Sequence, residues 1–136
     1  MTLDPYRLPL TVLPRHYAVT LEPELDQASF AGTVRIDIEV TEGVERIVLN
    51  AIELEVFSVL VDSQPVDFSL DEDTQRLTIA AHLAAGNATI DVAFTGILND
   101  KLRGFYRSTY TDDNGAQQVI ACSQMQSTDC RRVFPC

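Results

Sequence analysis

Gln124 and Gln126 lie two positions apart in a polar stretch, Ser123-Gln124-Met125-Gln126-Ser127-Thr128-Asp129. If the strand continues through them, the two side chains share a face. Two carboxamides on one face can aim their carbonyl oxygens at a single donor, such as a substrate ammonium. The competing reading is a polar strand end with no ligand, and the residues alone favour it. Three cysteines, Cys122, Cys130 and Cys136, fall within the last fifteen residues. An odd count outside a secreted framework predicts free thiols. Intervening stretches of seven and five residues fit no zinc-ligand spacing, so the thiols read as structural. His16 and His82 stand in unrelated contexts, and each reads as a surface or core-edge imidazole. H-E-x-x-H is absent, which excludes a self-contained zinc-protease site, and so are G-x-S-x-G and a Gly-rich phosphate loop. Asp71-Glu72-Asp73 lacks the rest of a calcium loop and reads as a solvated turn. Asn87-Ala88-Thr89 is a glycosylation sequon that matters only in a secreted chain. No catalytic residue and no metal ligand follows from these residues.

The elements that must position such residues are strands. From Phe30 to Val40 the even positions are apolar or glycine and most odd ones polar. That period of two predicts a strand with one buried and one wet face, in an antiparallel sheet. Ala88, Ile90, Val92 and Phe94 repeat the pattern against Thr89, Asp91 and Thr95. Further strands are predicted over 16–21, 46–49, 54–61, 75–80, 104–110 and 117–123. Turn signals separate them at Glu42-Gly43, Asp62-Ser63-Gln64-Pro65, Asp71-Glu72-Asp73, Gly86-Asn87 and Asp112-Asp113-Asn114-Gly115. Asn114-Gly115 predicts a hairpin, since both residues tolerate the positive φ of a primed turn. Near the end, Ser127 or Thr128 is placed to cap a short helix with Asp129 in its first turn and Pro135 beyond it. The expected fold is all-β: an antiparallel sandwich of about eight or nine strands, truncated, with a short helix at the C-terminal end.

The chain has 136 residues with a net charge of −10, enough length for one domain with a real core. Residues 1–100 carry five Arg and seventeen Asp or Glu, while residues 101–136 carry five basic and three acidic residues. Such an acidic field repels a phosphate backbone, so no nucleic-acid partner is expected. No apolar run has the length of a membrane span, and Met1 to Pro9 lack the pattern of a signal peptide. Cytoplasm is the expected compartment, with no membrane partner.

The later segments carry a resemblance. Gly96-Ile97-Leu98-Asn99-Asp100, Gly104-Phe105-Tyr106-Arg107-Ser108 with Tyr110, Ser123-Gln124, and Asp129-Cys130-Arg131-Arg132-Val133-Phe134-Pro135-Cys136 follow in order. Tyr6-Arg7-Leu8-Pro9, Pro14-Arg15-His16-Tyr17 and Phe30-Ala31-Gly32-Thr33-Val34 precede them. Together they resemble the amino-terminal domain of the aminopeptidase N family of zinc metallopeptidases, in its puromycin-sensitive-like branch.

The resemblance implies a β-sandwich domain, here 1–136, that packs in cis against a thermolysin-like catalytic domain absent from this sequence. That second domain would hold the zinc, the general-base Glu and a G-x-M-E-N motif. The chain is thus expected to stop in mid-domain and to be inactive alone. The parent would hydrolyse the first peptide bond of peptides with a free N-terminus. The family commonly reads Thr-Gln-Phe-Glu where this chain has Ser123-Gln124-Met125-Gln126. There the Glu helps bind the substrate α-amine and the Gln lines the same pocket, so Gln124 and Gln126 become the substrate-binding candidates. Gln126 departs from the usual acid, although a leukotriene-hydrolase branch also carries Gln. The alternative function is a stand-alone β-sandwich module for protein binding. A surface adhesion sandwich is disfavoured by the free thiols and the missing leader.

Overall fold

A computed structural model describes Asp4 and residues 6–136. Among the described residues there are ten strands: β1 (Val12–Glu24), β2 (Ser29–Val40), β3 (Val44–Asn50), β4 (Leu54–Val61), β5 (Gln64–Pro65), β6 (Phe68–Asp71), β7 (Arg76–Leu83), β8 (Gly86–Ile97), β9 (Gly104–Thr111) and β10 (Gln117–Gln124). They form a five-stranded sheet in the order β1-β2-β8-β4-β5, a three-stranded sheet β3-β7-β6, and the two-stranded hairpin β9-β10. Neighbouring strands run antiparallel throughout. Among the described residues no helix is long and apolar enough to cross a membrane.

The alternation along β2 and β8 accounts for the core. Phe30, Val34, Ile36, Ile38 and Val40 of β2 are buried, as are Ala88, Ile90, Val92 and Phe94 of β8. Ile47, Leu49, Leu77, Ile79 and Ala81 from the smaller sheet complete the same cluster. Outward-facing residues of the larger sheet pair across strands instead. Arg35 Nε donates to Asp91 Oδ1 at 2.8 Å, and Arg15 bonds Glu39. Such exposed pairs contribute little to stability. In β4 the register shifts between Val56 and Ser58. The bulge turns Phe57 out to solvent while Val56 and Val59 stay inside.

Several details depart from the expected boundaries. β5 and β6 bring the strands to ten, since both are too short to show a period. Asp62 and Ser63 do turn the chain, with φ of 48° and 67°, but Gln64-Pro65 already pairs with β4. Asp71 closes β6 while its carboxylate accepts the Asp73 N–H at 2.9 Å, as a turn would require. Gly86-Asn87 opens β8 rather than forming the turn, because Gly86 takes φ 140° and pairs with Val40. The C-terminal helix is a single 3₁₀ turn, Asp129–Arg132. Thr128 stands at its cap position without a side-chain cap bond, and the Asp129 N–H donates to the Met125 carbonyl at 3.1 Å.

Candidate functional site at the end of the terminal hairpin

The hairpin β9–β10 carries Gln124 on its last residue, opposite Gly104. Its far end is organised by Asp112 rather than by a two-residue primed turn. The Asp112 carboxylate accepts the N–H groups of Asn114 and Ala116, each at 2.9 Å, and the Gln118 amide at 3.0 Å. These bonds, the Ala116 N–H first, hold its carboxyl below the usual carboxylate range. Gly115 takes φ 81°, whereas Asn114 is not among the residues with positive φ. The strand pairing predicted on either side of this loop is present, with Thr111 opposite Gln117.

The near end is fastened to the sandwich. Phe105 packs edge-on against Phe30, with ring centroids 5.1 Å apart. Asn99 bridges to β9: its carbonyl accepts the Arg107 N–H at 2.8 Å, and its side-chain amide donates to the Arg103 carbonyl at 2.8 Å. Gly104, at φ 64°, is closed off by the 3₁₀ turn, since a Cβ there would come within 2.7 Å of Arg132 Cβ. Arg132 is held in turn by Glu53 and Asp129, each at 2.9 Å.

After the 3₁₀ turn the chain runs back along the body. The Ile52 N–H donates to the Arg131 carbonyl at 3.0 Å, and Cys136 exchanges backbone hydrogen bonds with Asn50 at 2.6 and 3.0 Å. Val133 and Pro135 are fully buried, and the Phe134 ring packs at a tilt against Tyr17, centroids 5.8 Å apart. The segment following the hairpin is therefore part of the packed structure.

The two candidate residues stand at the junction of these pieces. Gln124 ends β10, and Gln126 falls in the turn that follows, so strand periodicity no longer places them on a common face. Both are exposed, and neither side chain enters a hydrogen bond among the described residues. Their carboxamides are thus free to meet a ligand, but β10 positions only the first of them. The sequence reading named Gly104 and Arg132 only within the resembling segments and Asp112 only as a turn residue, and gave none of them its role in holding the frame.

The cysteines divide. Cys122 lies within β10 opposite Tyr106, whereas Cys130 lies in the 3₁₀ turn and the Cys136 backbone pairs with Asn50. All three are free thiols, as their odd count predicts. The neighbouring Cys136, helped by the charge of Arg131 against the effect of burial, holds Cys130 below the usual thiol range. Cys136 is pushed the other way, by Cys130 and by burial. Among the described residues no three His, Cys, Asp or Glu side chains come together as a metal site.

Comparison with known proteins agrees with this architecture. The chain is 42% identical over 132 residues to aminopeptidase 2 of Candida albicans, covering 94% of this chain and 14% of that protein. It is 39% identical over 138 residues to the puromycin-sensitive aminopeptidase of Caenorhabditis elegans, covering 96% and 15%. It is 35% identical over 137 residues to the mitochondrial aminopeptidase 2 of Saccharomyces cerevisiae, covering 95% and 14%. The chain thus spans only about one-seventh of the length of these relatives. Residues 13–136, from the first strand of the sandwich to the segment packed beneath it, match the peptidase M1 N-terminal domain, and the chain belongs to that family.

Proposed function

We propose that residues 1–136 belong to the N-terminal sandwich domain of a zinc aminopeptidase and that they act by holding the substrate's amino terminus. The family match over 13–136 carries this reading. The described residues bring no metal-binding group together, so they do not fit zinc, and no bond-breaking step is assigned to them. In this reading the zinc belongs to a catalytic domain in cis, and the substrates are peptides with a free N-terminus. Gln124 and Gln126 accept hydrogen bonds from the α-ammonium through their carboxamide oxygens. Their exposure at the hairpin end supports that role. The contribution is positional: a peptide tethered by its first residue presents only its first bond for cleavage. We place the enzyme in the cytoplasm, which the three free thiols support.

The test is Gln126→Glu in the whole enzyme. A carboxylate on an ammonium is worth about 1 kcal/mol more than a neutral acceptor, so KM for free-amine peptides should fall about fivefold. The gain should be full below the α-amine pKa of roughly 7.7–8.0 and fade above it, as the ammonium loses its proton. An N-acetylated peptide should show no such gain. An unchanged or higher KM would place Gln126 outside the amine site. The 136-residue chain alone should hydrolyse no aminoacyl substrate, and turnover with stoichiometric zinc would overturn that part of the reading. The alternative, a stand-alone protein-binding module, predicts instead a single cooperative unfolding transition for this chain as a monomer.

A further inference from the structure

The chain has four asparagines, and the structure treats them differently. Asn50 exchanges backbone hydrogen bonds with Cys136, and the next nitrogen, on buried Ala51, donates to the Gln75 carbonyl at 3.0 Å. Asn87 lies in β8 and is followed by buried Ala88, opposite Ile38 in the ladder. The Asn99 carboxamide is used twice: it donates to the Arg103 carbonyl at 2.8 Å and accepts the Lys101 N–H at 2.9 Å. Asn114 carries no such restraint on its carboxamide. It is exposed in the loop joining β9 and β10, and its side chain enters no hydrogen bond among the described residues. The residue after it is Gly115, where an added Cβ would meet nothing within 4 Å, so no side chain screens its nitrogen.

We propose that Asn114 is a site of spontaneous deamidation and that Asp112 is the residue that restrains it. Asn114 Cγ and the Gly115 nitrogen are kept close by covalent connection alone, since bonding them closes a succinimide ring. The Gly115 nitrogen loses its proton and attacks Cγ, the Cγ–Nδ2 bond breaks, and Nδ2 takes up a proton and leaves as ammonia. Water then opens the ring. Where it breaks the bond from the nitrogen to Cγ, position 114 becomes aspartate. Where it breaks the bond to the main-chain carbonyl carbon, position 114 becomes isoaspartate, with the backbone running through the former side chain. Asp112 opposes the first step. Its carbonyl accepts the N–H of Gly115, the nitrogen that must attack, at 2.9 Å. Its carboxylate holds the flanking Asn114 and Ala116 N–H groups at the same distance. The Gly115 nitrogen gives up its proton only after its own bond breaks, so the loop must open first. The Asp112 carboxylate, kept ionised by the bonds it accepts, also disfavours a deprotonated nitrogen beside it. Isoaspartate adds a carbon to the backbone between Asp112 and Ala116, so one carboxylate no longer fits both N–H groups and the far end of the hairpin loosens.

The full-length protein would be kept in mildly alkaline buffer for weeks, sampled at intervals and digested with trypsin. Cleavage after Arg107 and Arg131 releases the peptide 108–131, which holds Asn114 and no other asparagine. We expect this peptide to gain the mass of a hydroxyl over an amide group. Its products should co-migrate with synthetic 108–131 peptides that carry aspartate or isoaspartate at position 114. Those standards separate the reaction from deamidation at the glutamines of the same peptide. The peptides holding Asn50, Asn87 and Asn99 should stay unchanged over the same period. Asp112→Ala should convert roughly tenfold faster, the factor that corresponds to releasing one hydrogen bond to a charged group. Gly115→Ala, whose methyl screens the nitrogen, should convert several-fold slower. An unchanged 108–131 peptide, or conversion of Asn87 or Asn99 ahead of Asn114, would overturn the site. An Asp112→Ala rate no higher than that of the unmutated protein would overturn the restraint assigned to Asp112.

Discussion

Phe30→Ala is expected to destabilise the protein by about 4 kcal/mol, the middle of the range for emptying an aromatic core site. Phe30 is only 1% exposed and meets two other rings, Phe94 at 6.5 Å and Phe105 at 5.1 Å. It lies opposite Gly96 in the β2–β8 pairing, and a Cβ on that glycine would come within 2.3 Å of the Phe30 ring. Two residues along, Gly32 lies opposite Phe94 in the same arrangement, with a Cβ reaching 2.7 Å from the ring. Each ring fills the space that a glycine across the ladder leaves open, so truncating one leaves a cavity that the neighbouring backbone cannot close. Phe105 is the contact that seats the hairpin, so the loss should also reach β9 and β10. Urea unfolding followed by tyrosine fluorescence measures the first effect, since the chain has no tryptophan. Faster amide exchange in the hairpin measures the second. A stability loss below about 1 kcal/mol would mean that the site collapses freely and that Phe30 is not the joint described.

Gly104→Ala is the second large effect, expected at about 3 kcal/mol. A left-handed backbone costs a residue with a Cβ roughly 1–2 kcal/mol, and a steric clash adds to it. At Gly104 φ is 64°, and the added carbon would lie 2.7 Å from Arg132 Cβ and 3.3 Å from the Asp129 carbonyl oxygen. Arg132 cannot swing aside cheaply, because Glu53 and Asp129 both hold its guanidinium. Gly115 provides the comparison: φ is 81° there, but nothing lies within 4 Å of the added carbon. Gly115→Ala should therefore lose only the backbone part, about 1 kcal/mol. Equal losses at the two glycines would show that the Arg132 contact carries no weight. Because Gly104 faces Gln124, the same change should also displace the end of β10 and weaken amine binding in the whole enzyme.

Much of this fold was legible in the residues because the alternation along β2 and β8 is local. A period of two puts Phe30, Val34, Ile36, Ile38 and Val40 on one face whatever lies opposite them, and all five are buried. The same logic failed where an element is too short to show a period, as in β5 and β6, or where a bulge interrupts it, as at Phe57 in β4. The hairpin was readable from its polar loop, but the residue that organises it is Asp112 rather than Asn114, since one carboxylate can satisfy several backbone N–H groups at once. Gln124 and Gln126 were singled out by type and by resemblance, and their common face was argued from a strand that ends at Gln124.

The amino-acid sequence by itself determined the all-β class, the buried faces of the central strands and the order of the family's segments, because each depends on residues near one another along the chain. Only the tertiary structure decided which residues meet: Gly96 against Phe30, Gly104 against Arg132, Cys136 against Asn50, and Phe134 against Tyr17. Such contacts join positions that are distant in sequence or reversed by a turn. No local period encodes them, and they form where packing and hydrogen bonding bring separate strands together.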